Sequence, residues 1–303
     1  MKYFKVEASR TAQRYEISEQ NFSLYTENKP PFEKVQSDGE TKYYGICPSC
    51  LNPVRLNGLY KCTKRSPYGS HAGKDVDGFP KWDLYKYQHC PFAKSNDKKP
   101  INSNARGIIT EDTVELYNLL KTQFDRVVYI ISKDFGIRCS DNFWRSAIKQ
   151  FCKSEGYCYP WLTDSNLPYM FAFFGLQQQN PYNQRIIAGS DLYNALRKYP
   201  RVDFDNSGSE KCPRLINRGN QFVNLCFRLT DHRQRGGEGD ELTESVKFCI
   251  DDIQSCKTVF ETRIKFSETY FINLINKKGN DDKRQQWLLD IAEECMPPLS
   301  VNS

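Results

Sequence analysis

The spacing of apolar residues changes along the chain and predicts short strands first, helices in the middle and longer strands near the end. In residues 3–6 and 14–17 apolar and polar side chains alternate weakly, which indicates strands. Thr110, followed by Glu111 and Asp112, suits the start of a helix. Residues 127–131 form an unbroken apolar run, which predicts a buried strand.

The clearest helix is predicted over residues 141–155, with Ser140 as its N-cap and Gly156 as its stop. A second face of this helix carries Arg145, Lys149 and Lys153, four residues apart. Like charges at this spacing cost about 0.2 to 0.5 kcal/mol per pair in an isolated helix. The stripe would suit a phosphate backbone, and an ordinary solvated face is the competing interpretation.

Strand patterns dominate the chain after residue 222. A short helix is predicted from Ser190 to Lys198. Residues 259–266 alternate with period two, as a strand with one wet face does, and two helices near 267–277 and 281–294 follow. The polar, glycine-rich stretch 230–241 is predicted to be an exposed, mobile loop. These patterns predict an α+β fold of mixed helices and antiparallel strands.

Cysteine spacing gives the strongest chemical signal. In Cys47-Pro-Ser-Cys50 two thiols are separated by two residues and are flanked by strand-like runs, a pattern that lets both bind one metal ion. Zinc is the expected ion because it prefers four thiolate or imidazole ligands in a tetrahedron.

Two more ligands must come from farther along the chain. We predict His71, whose flanking glycines allow the backbone to turn, and Cys90, which precedes a proline as Cys47 does. Cys62 in place of His71, or His89 in place of Cys90, is the main alternative. Buried cysteines beside an unrelated turn would explain the same residues without a metal.

The motif Cys-Pro-x-Cys-x-x-Pro resembles that of zinc-knuckle and zinc-ribbon proteins over residues 44 to about 90 only. The second half of this stretch departs from the ribbon pattern, which would contain another Cys-x-x-Cys. With four or more candidate ligands present, we expect a structural zinc ion and not a catalytic one, because a catalytic zinc keeps a position open for water.

Composition narrows the class of protein. The chain has 303 residues, 14% aromatic side chains and 12 cysteines, of which the last eight follow no regular framework. This favours reduced thiols over a disulfide scaffold. Its first residues are charged where a signal peptide would be apolar, and no apolar run approaches about 18 residues. We expect a soluble, cytoplasmic protein that does not bind membranes.

Charge is concentrated around the cysteine motif. Residues 41–110 contain twelve basic and four acidic side chains, a net of +8, whereas the whole chain has +6. Tyrosines, Phe79 and Trp82 are interleaved with these cations, a combination suited to phosphates and unpaired bases. The predicted nucleic-acid-binding residues are Arg55, Lys61, Lys64, Arg65, Lys81, Lys86, Arg145, Lys149 and Lys153. A solvated basic face is the competing interpretation.

The sequence divides into four predicted segments. A polar stretch between residues 94 and 107 is typical of a linker. The segments are a strand-rich start at 1–40, a basic zinc-binding module at 41–95, a linker at 96–107 and an α+β domain at 108–303.

Signals for an enzyme are sparse. Of three histidines, only His232 lies outside the cysteine-rich stretch, and neither a nucleotide-binding loop nor a nucleophile elbow is present. Acidic residues that could hold magnesium for a nuclease occur in loop-like sequence at Asp203, Asp205, Glu238, Asp240 and Glu241.

The sequence therefore favours a zinc-stabilised protein that binds DNA or RNA during cytosolic nucleic-acid processing, and it favours a binding role over a catalytic one. The first alternative is a scaffold component that buries its aromatic segment 157–176 against a protein partner, although such runs more often form core. A metal-dependent nuclease is the second alternative.

Overall fold

The computed structural model describes residues 1–60, 66–94, 101–219, 222–236, 242–277, 279 and 284–301. It confirms the α+β fold, and every sheet formed by these residues is antiparallel. Within this part of the chain, none of the helices has the length and apolar character needed to cross a lipid bilayer.

The N-terminal part contains a two-stranded ribbon, a four-stranded sheet and two short helices. Its elements are β1 Tyr3–Phe4, β2 Tyr15–Glu16, α1 Glu19–Thr26, β3 Glu33–Val35, β4 Thr41–Ile46, β5 Pro53–Asn57, β6 Tyr68–His71 and α2 Leu84–Gln88. The four-stranded sheet follows chain order, β3–β4–β5–β6. The strands predicted at 3–6 and 14–17 are present but shorter, and helix α1, capped by Ser18, was not predicted.

The rest of the chain begins with helices and small strands and continues with a three-stranded sheet. Its elements are α3 Glu111–Thr122, α4 Phe124–Phe135, β7 Ile137–Arg138, α5 Asp141–Lys153, α6 Leu167–Gly175, β8 Arg185–Ile186, α7 Asp191–Arg197, β9 Val202–Asp205, β10 Arg214–Asn217, β11 Leu225–Arg235, β12 Thr243–Asp252, β13 Lys257–Lys265, α8 Tyr270–Asn276 and α9 Gln286–Cys295. Strand orders are β7–β8–β10–β9 and β11–β12–β13. The predicted helices at Thr110, Ser140 and Ser190 and the last two helices are confirmed.

The strand predicted at residues 127–131 is wrong, because this run lies inside helix α4. Phe124, Val128, Ile131 and Phe135 recur at helical spacing and are all buried. Gly136 ends the helix with a φ of 73°, a left-handed conformation that glycine adopts without strain. The flanking aromatic residues therefore outweigh the strand preference of the β-branched run.

The mobile loop predicted at 230–241 is wrong in its first half, because β11 continues to Arg235. The strand pairing shifts between Thr230 and Arg233, and Asp231 has a φ of 55°. This irregularity turns His232 into the interior, where it is buried. Residues 237–241 lie outside the described part of the chain.

The aromatic segment 157–176 forms core. Every residue of helix α6 is buried, and α4 and α5 both pack against this helix. Residues 162–176 have no exposed face, so the predicted binding of a protein partner through 157–176 must be corrected. The sequence could not separate the two cases, since aromatic runs serve both cores and interfaces.

Buried apolar residues form two clusters. The larger one contains residues of the helices from α3 through α9 and of the three-stranded sheet β11–β13. The smaller one unites the first residues with the cysteine-rich stretch and includes Met1, Phe4, Phe22, Val54, Leu56, Phe92 and Cys47, Cys50 and Cys90. The division into four segments stays a prediction.

A buried ion cluster joins the N-terminal part to the rest of the chain. Lys5 Nζ lies 3.0 Å and Arg14 Nη2 lies 2.6 Å from the carboxylate of Asp164, and all three side chains are almost fully excluded from solvent. Burial would raise the pKa of Asp164, but the charges of Arg14 and Lys5 outweigh it and hold this pKa below its ordinary value. The carboxylate therefore stays ionised and compensates two buried cations.

We expect Asp164→Asn to lower the free energy of unfolding by about 3–5 kcal/mol at pH 7, since it leaves buried cations without a counter-charge. Urea denaturation would measure this loss. Because the folded-state pKa is depressed, the wild-type advantage should be complete above about pH 4 and shrink as the pH falls toward that lower value. Glu293→Gln is the control. Glu293 forms an ion pair with Lys121 but is 75% exposed, so this change should lower the free energy of unfolding by no more than about 1 kcal/mol. Equal effects of the two changes would contradict this assignment.

Candidate metal centre

A tight turn between β4 and β5 directs two thiols to the same point. The backbone N–H of Cys47 donates to the carbonyl of Asn52 at 2.8 Å, and that of Leu51 donates to the carbonyl of Cys47 at 3.2 Å. Leu51 has a φ of 60°, in the left-handed region, which sharpens the reversal of the chain. Cys47 and Cys50 are consequently both buried on the inner side of the turn.

His71 and Cys90 reach this point from two other elements. His71 is the last residue of β6 and lies opposite Val54 of β5 in the sheet register. Cys90 follows α2, and its backbone N–H donates to the carbonyl of Tyr87 at 3.0 Å. Three separate stretches of the chain thus contribute to one cluster.

The four candidate ligand atoms are close enough together to surround one metal ion. The four candidate ligand atoms all lie within 4.8 Å of one another. Cys47 Sγ is 3.7 Å from Cys90 Sγ, and Cys50 Sγ is 3.3 Å from His71 Nε2. With metal–sulfur bonds of about 2.3 Å and metal–nitrogen bonds of about 2.0 Å, a tetrahedron separates two sulfurs by about 3.8 Å and a sulfur from a nitrogen by about 3.5 Å. A disulfide needs about 2.05 Å, so these cysteines are free.

Proximity and burial prevent the three thiols from ionising together without a cation. Burial raises the pKa of Cys90 well above its ordinary value, and the neighbouring Cys47 and Cys50 raise it further. Burial also opposes ionisation of Cys47, but hydrogen bonds with Cys50 and Cys90 bring its pKa well below the ordinary value. A bound dication supplies the positive charge that three thiolates at this distance require.

Asn52 supports the cluster from behind. Its side-chain amide donates to Cys50 Sγ at 3.5 Å and to the carbonyl of Asp83 at 2.9 Å, while the Asp83 N–H donates to Asn52 Oδ1 at 2.7 Å. Asp83 in turn caps α2 by accepting from the Lys86 N–H. Asn52 therefore couples the turn that holds Cys50 to the helix that precedes Cys90.

Aromatic side chains hold the imidazole in place. Tyr87 packs edge-on against His71 with 4.9 Å between ring centroids, and Trp82 lies at 6.1 Å. The Nδ1 atom of His71 is buried and, among the described residues, has no hydrogen-bond partner, while Nε2 faces Cys50. The ring is thus oriented by packing, with one nitrogen directed into the cluster.

The two alternative ligands have different outcomes. His89 lies outside the cluster, where its Nδ1 is 2.9 Å from the carbonyl of Tyr85 and its ring packs against Trp161. Cys62 belongs to residues 61–65, which the structure does not describe. The described residues therefore bring together the four side chains that the sequence favoured, and this group could hold a metal ion.

The predicted cations are not equally available. Arg55 is 41% exposed and lies 3.5 Å from Glu40. The ammonium of Lys86 is 2.8 Å from the carboxylate of Asp112, and Arg145 pairs with Glu294. Exposed side chains are present at Lys81, Lys149 and Lys153. Lys61, Lys64 and Arg65 lie outside the described residues.

Two arginines that the sequence did not single out hold the turn of Cys47 and Cys50 by hydrogen bonds. Arg14 Nη2 donates to the carbonyl of Pro48 at 3.1 Å, and Arg10 Nη1 donates to that of Ser49 at 2.5 Å. Arg10 also pairs with Asp112 at 3.0 Å. These contacts join residues far apart in sequence, so no local sequence pattern predicts them.

His232 is part of a buried hydrogen-bond network and not of an open catalytic site. Its Nδ1 is 2.8 Å from the hydroxyl of Tyr159, its Nε2 is 2.6 Å from Glu244 Oε1, and its side chain has no exposed area. Asn166 donates to the same Glu244 oxygen at 2.8 Å. A substrate cannot reach this imidazole in the structure described here.

The acidic residues considered for a nuclease do not form a described metal site. Asp203 and Asp205 lie on strand β9 and not in a loop, and Asp205 pairs with Arg214 at 2.8 Å. Glu238, Asp240 and Glu241 fall outside the described residues. Within the described ranges, the cysteine–histidine cluster alone has the spacing of a metal centre.

Comparison with protein-family models, with curated proteins and with solved structures gives no match to this chain. The assignment of the centre therefore depends on its geometry and chemistry.

We expect the purified protein to bind one divalent metal ion per chain, and Cys50→Ser and Cys90→Ser each to lower this ratio to well below one half. Replacing one of four ligands removes a strong metal–sulfur bond and opens the site to water. Elemental analysis would give the ratio, and cobalt titration followed by absorption spectroscopy would report thiolate coordination directly.

Cys212→Ser is the matched control, since Cys212 is a buried cysteine of the C-terminal part. It should retain the metal, as should His89→Ala and Cys62→Ser. Loss of metal from either of the last two variants would require a different ligand set.

Proposed function

We propose that Cys47, Cys50, His71 and Cys90 hold a structural zinc ion and that the surrounding basic module binds nucleic acid. The proposal starts from the donor set. Three thiols and one imidazole are soft to borderline ligands that favour zinc over magnesium or calcium. All four are protein ligands, so a tetrahedral ion would be closed to substrate, as in zinc sites that stabilise folds.

The role of the zinc would be to cross-link a small module. The ligands come from the turn after β4, the end of β6 and the second residue after α2, Cys90. The apolar cluster at this end of the protein is much smaller than the C-terminal one. Small cores of this kind commonly depend on a metal for stability.

Positive charge around the centre carries the nucleic-acid proposal. The described residues of 41–110 include seven basic side chains and only three acidic ones. Zinc with three thiolates and a neutral histidine would change this balance by only about one negative charge. Arg55 is partly exposed, and Lys74, Lys81 and Lys94 are exposed. A surface of this kind attracts phosphates by releasing their counterions.

The other two functions have less support. The aromatic segment proposed for a protein partner is largely interior. The described carboxylates proposed for a nuclease lack a metal-binding arrangement. The basic surface is therefore the feature that favours one function over the others.

We expect the zinc-loaded protein to bind labelled DNA or RNA with an affinity that falls steeply with salt. The triple variant Lys42→Glu/Arg55→Glu/Lys81→Glu should bind much more weakly, and the slope of log K against log [salt] should decrease by about 2 if three phosphate contacts to a single strand are lost. Fluorescence anisotropy across a salt series would measure both quantities.

Lys198→Glu/Lys257→Glu/Lys265→Glu makes the same change in net charge at exposed positions of the C-terminal part and is the control. It should keep most of the affinity. Equal losses in the two triple variants would indicate a general charge effect, and absence of binding at low salt by zinc-loaded protein would refute the proposed function.

A further inference from the structure

The four-stranded sheet β3–β6 has one face covered by the N-terminal residues and an opposite face that is partly exposed, where Asp77 contacts Lys34 and Phe79 lies near Tyr44. Successive residues of a strand point to opposite sides. On the covered side, Val54 and Leu56 are buried. A Cβ atom added to Gly45 would lie 2.9 Å from the ring of Phe4, and one added to Gly69 would lie 2.8 Å from Met1. Phe4 and Met1 therefore cover this side at Gly45 and Gly69.

Basic, aromatic and amide side chains share the opposite side. The register pairs Lys34 with Lys42, Tyr44 with Arg55, Arg55 with Ser70 and Asn57 with Tyr68. Directly paired residues lie on the same face of a sheet. The outer face of the sheet, as we call it, thus consists of Lys34, Lys42, Tyr44, Arg55, Asn57, Tyr68 and Ser70, and each of these residues is partly exposed.

At one end of the sheet the surface forms a groove of about 540 Å³, lined by residues of both faces. The residues that matter for binding at this groove are Lys42, Tyr43, Arg55, Asn57, Tyr60 and Tyr68. Tyr43 and Tyr60 lie side by side with 4.9 Å between ring centroids, and Tyr60 is 42% exposed. The groove therefore combines cations, tyrosine rings and a side-chain amide in one concave surface.

The cations of the groove are only partly neutralised. Glu40 lies 3.5 Å from Arg55 Nη2 and 3.7 Å from Lys42 Nζ, so one carboxylate faces two cations. Both contacts are long for charge-assisted hydrogen bonds. A phosphate could approach the two cations and replace the weak contacts with Glu40.

The sheet β11–β13 shows the contrasting arrangement. Cations there form close ion pairs with acids: Arg228 with Asp251, Lys247 with Glu261, and both Arg233 and Arg263 with Asp231. Such paired charges leave little net field for a polyanion. The close ion pairs of this sheet differ from the long contacts that Lys42 and Arg55 make with Glu40.

We propose that the groove and the adjoining outer face bind unpaired nucleotides of a single-stranded nucleic acid. Tyrosine rings can stack only on bases whose faces are free, and a duplex hides those faces between neighbouring pairs. In this arrangement Lys42 and Arg55 contact the phosphates. This inference rests on the proposed function and adds the class of nucleic acid and the site.

Tyr60→Leu and Tyr68→Leu test the stacking step, because each removes a ring while keeping an apolar side chain. Each should weaken binding to an unstructured single strand by about 5- to 150-fold, the range found for loss of one base–aromatic stack. Tyr182→Leu is the matched control, since Tyr182 is also 42% exposed but lies outside the groove. Zinc content should be unchanged in all three variants.

Photo-cross-linking of wild-type protein gives a second readout that does not depend on folding of the variants. A single strand carrying a photoreactive base should attach to peptides containing residues 42–60 or 66–68, identified by mass spectrometry. DNA and RNA versions of one sequence, with their duplexes, would show which sugar is preferred.

The outcomes distinguish the inference from the function on which it rests. Tighter binding of single strands than of duplex, with loss in the two groove variants alone, would support the inference. Equal binding of single and double strands with no effect of either variant would overturn it and leave nucleic-acid binding intact. Failure of zinc-loaded protein to bind any of these nucleic acids would overturn both.

Discussion

The meeting of Cys47, Cys50, His71 and Cys90 at one buried point is the constraint on which the N-terminal part depends. Three stretches of chain converge there. Two of them, the turn between β4 and β5 and the end of β6, belong to the sheet that carries the basic outer face. Structural zinc in comparable small modules contributes apparent binding free energies of about 10–16 kcal/mol at pH 7. An energy of this size can fix a sheet whose covered side contains two glycines and few aliphatic residues.

Buried charge fixes how this module sits against the rest of the chain. Asp164 lies between Lys5 and Arg14, and Arg14 also donates to the carbonyl of Pro48, the residue after Cys47. Removing three charges from water is costly, so such a cluster adds little net stability compared with apolar packing. Its geometric requirements are strict, however, because an ion displaced from its partners remains buried and uncompensated. We infer that the cluster favours one way of packing the N-terminal residues against the rest of the chain.

The sequence predicted the features that depend on neighbouring residues. The turn of Cys47 and Cys50, the helix after Ser140 and the helix capped by Ser190 are all encoded within a few positions. His71 and Cys90 could be proposed from their flanking glycines and proline, and the structure places them in the cluster. Residues 127–131 were misassigned because a short apolar run fits a buried strand and a buried helix equally well. The roles of Lys5, Arg10 and Arg14 and the burial of His232 could not be predicted, since their partners lie far away or depend on an irregular strand.

Dependence of nucleic-acid binding on the metal tests the central claim most directly. Single-strand affinity should be measured on zinc-loaded protein, after removal of the metal by a chelator, and after stoichiometric zinc is restored, with circular dichroism recorded in each state. If zinc organises the sheet that binds the strand, removal should weaken binding by at least tenfold and zinc should restore it, while the larger C-terminal core keeps most of its secondary structure. Affinity that is unchanged after complete removal of the metal would contradict the account.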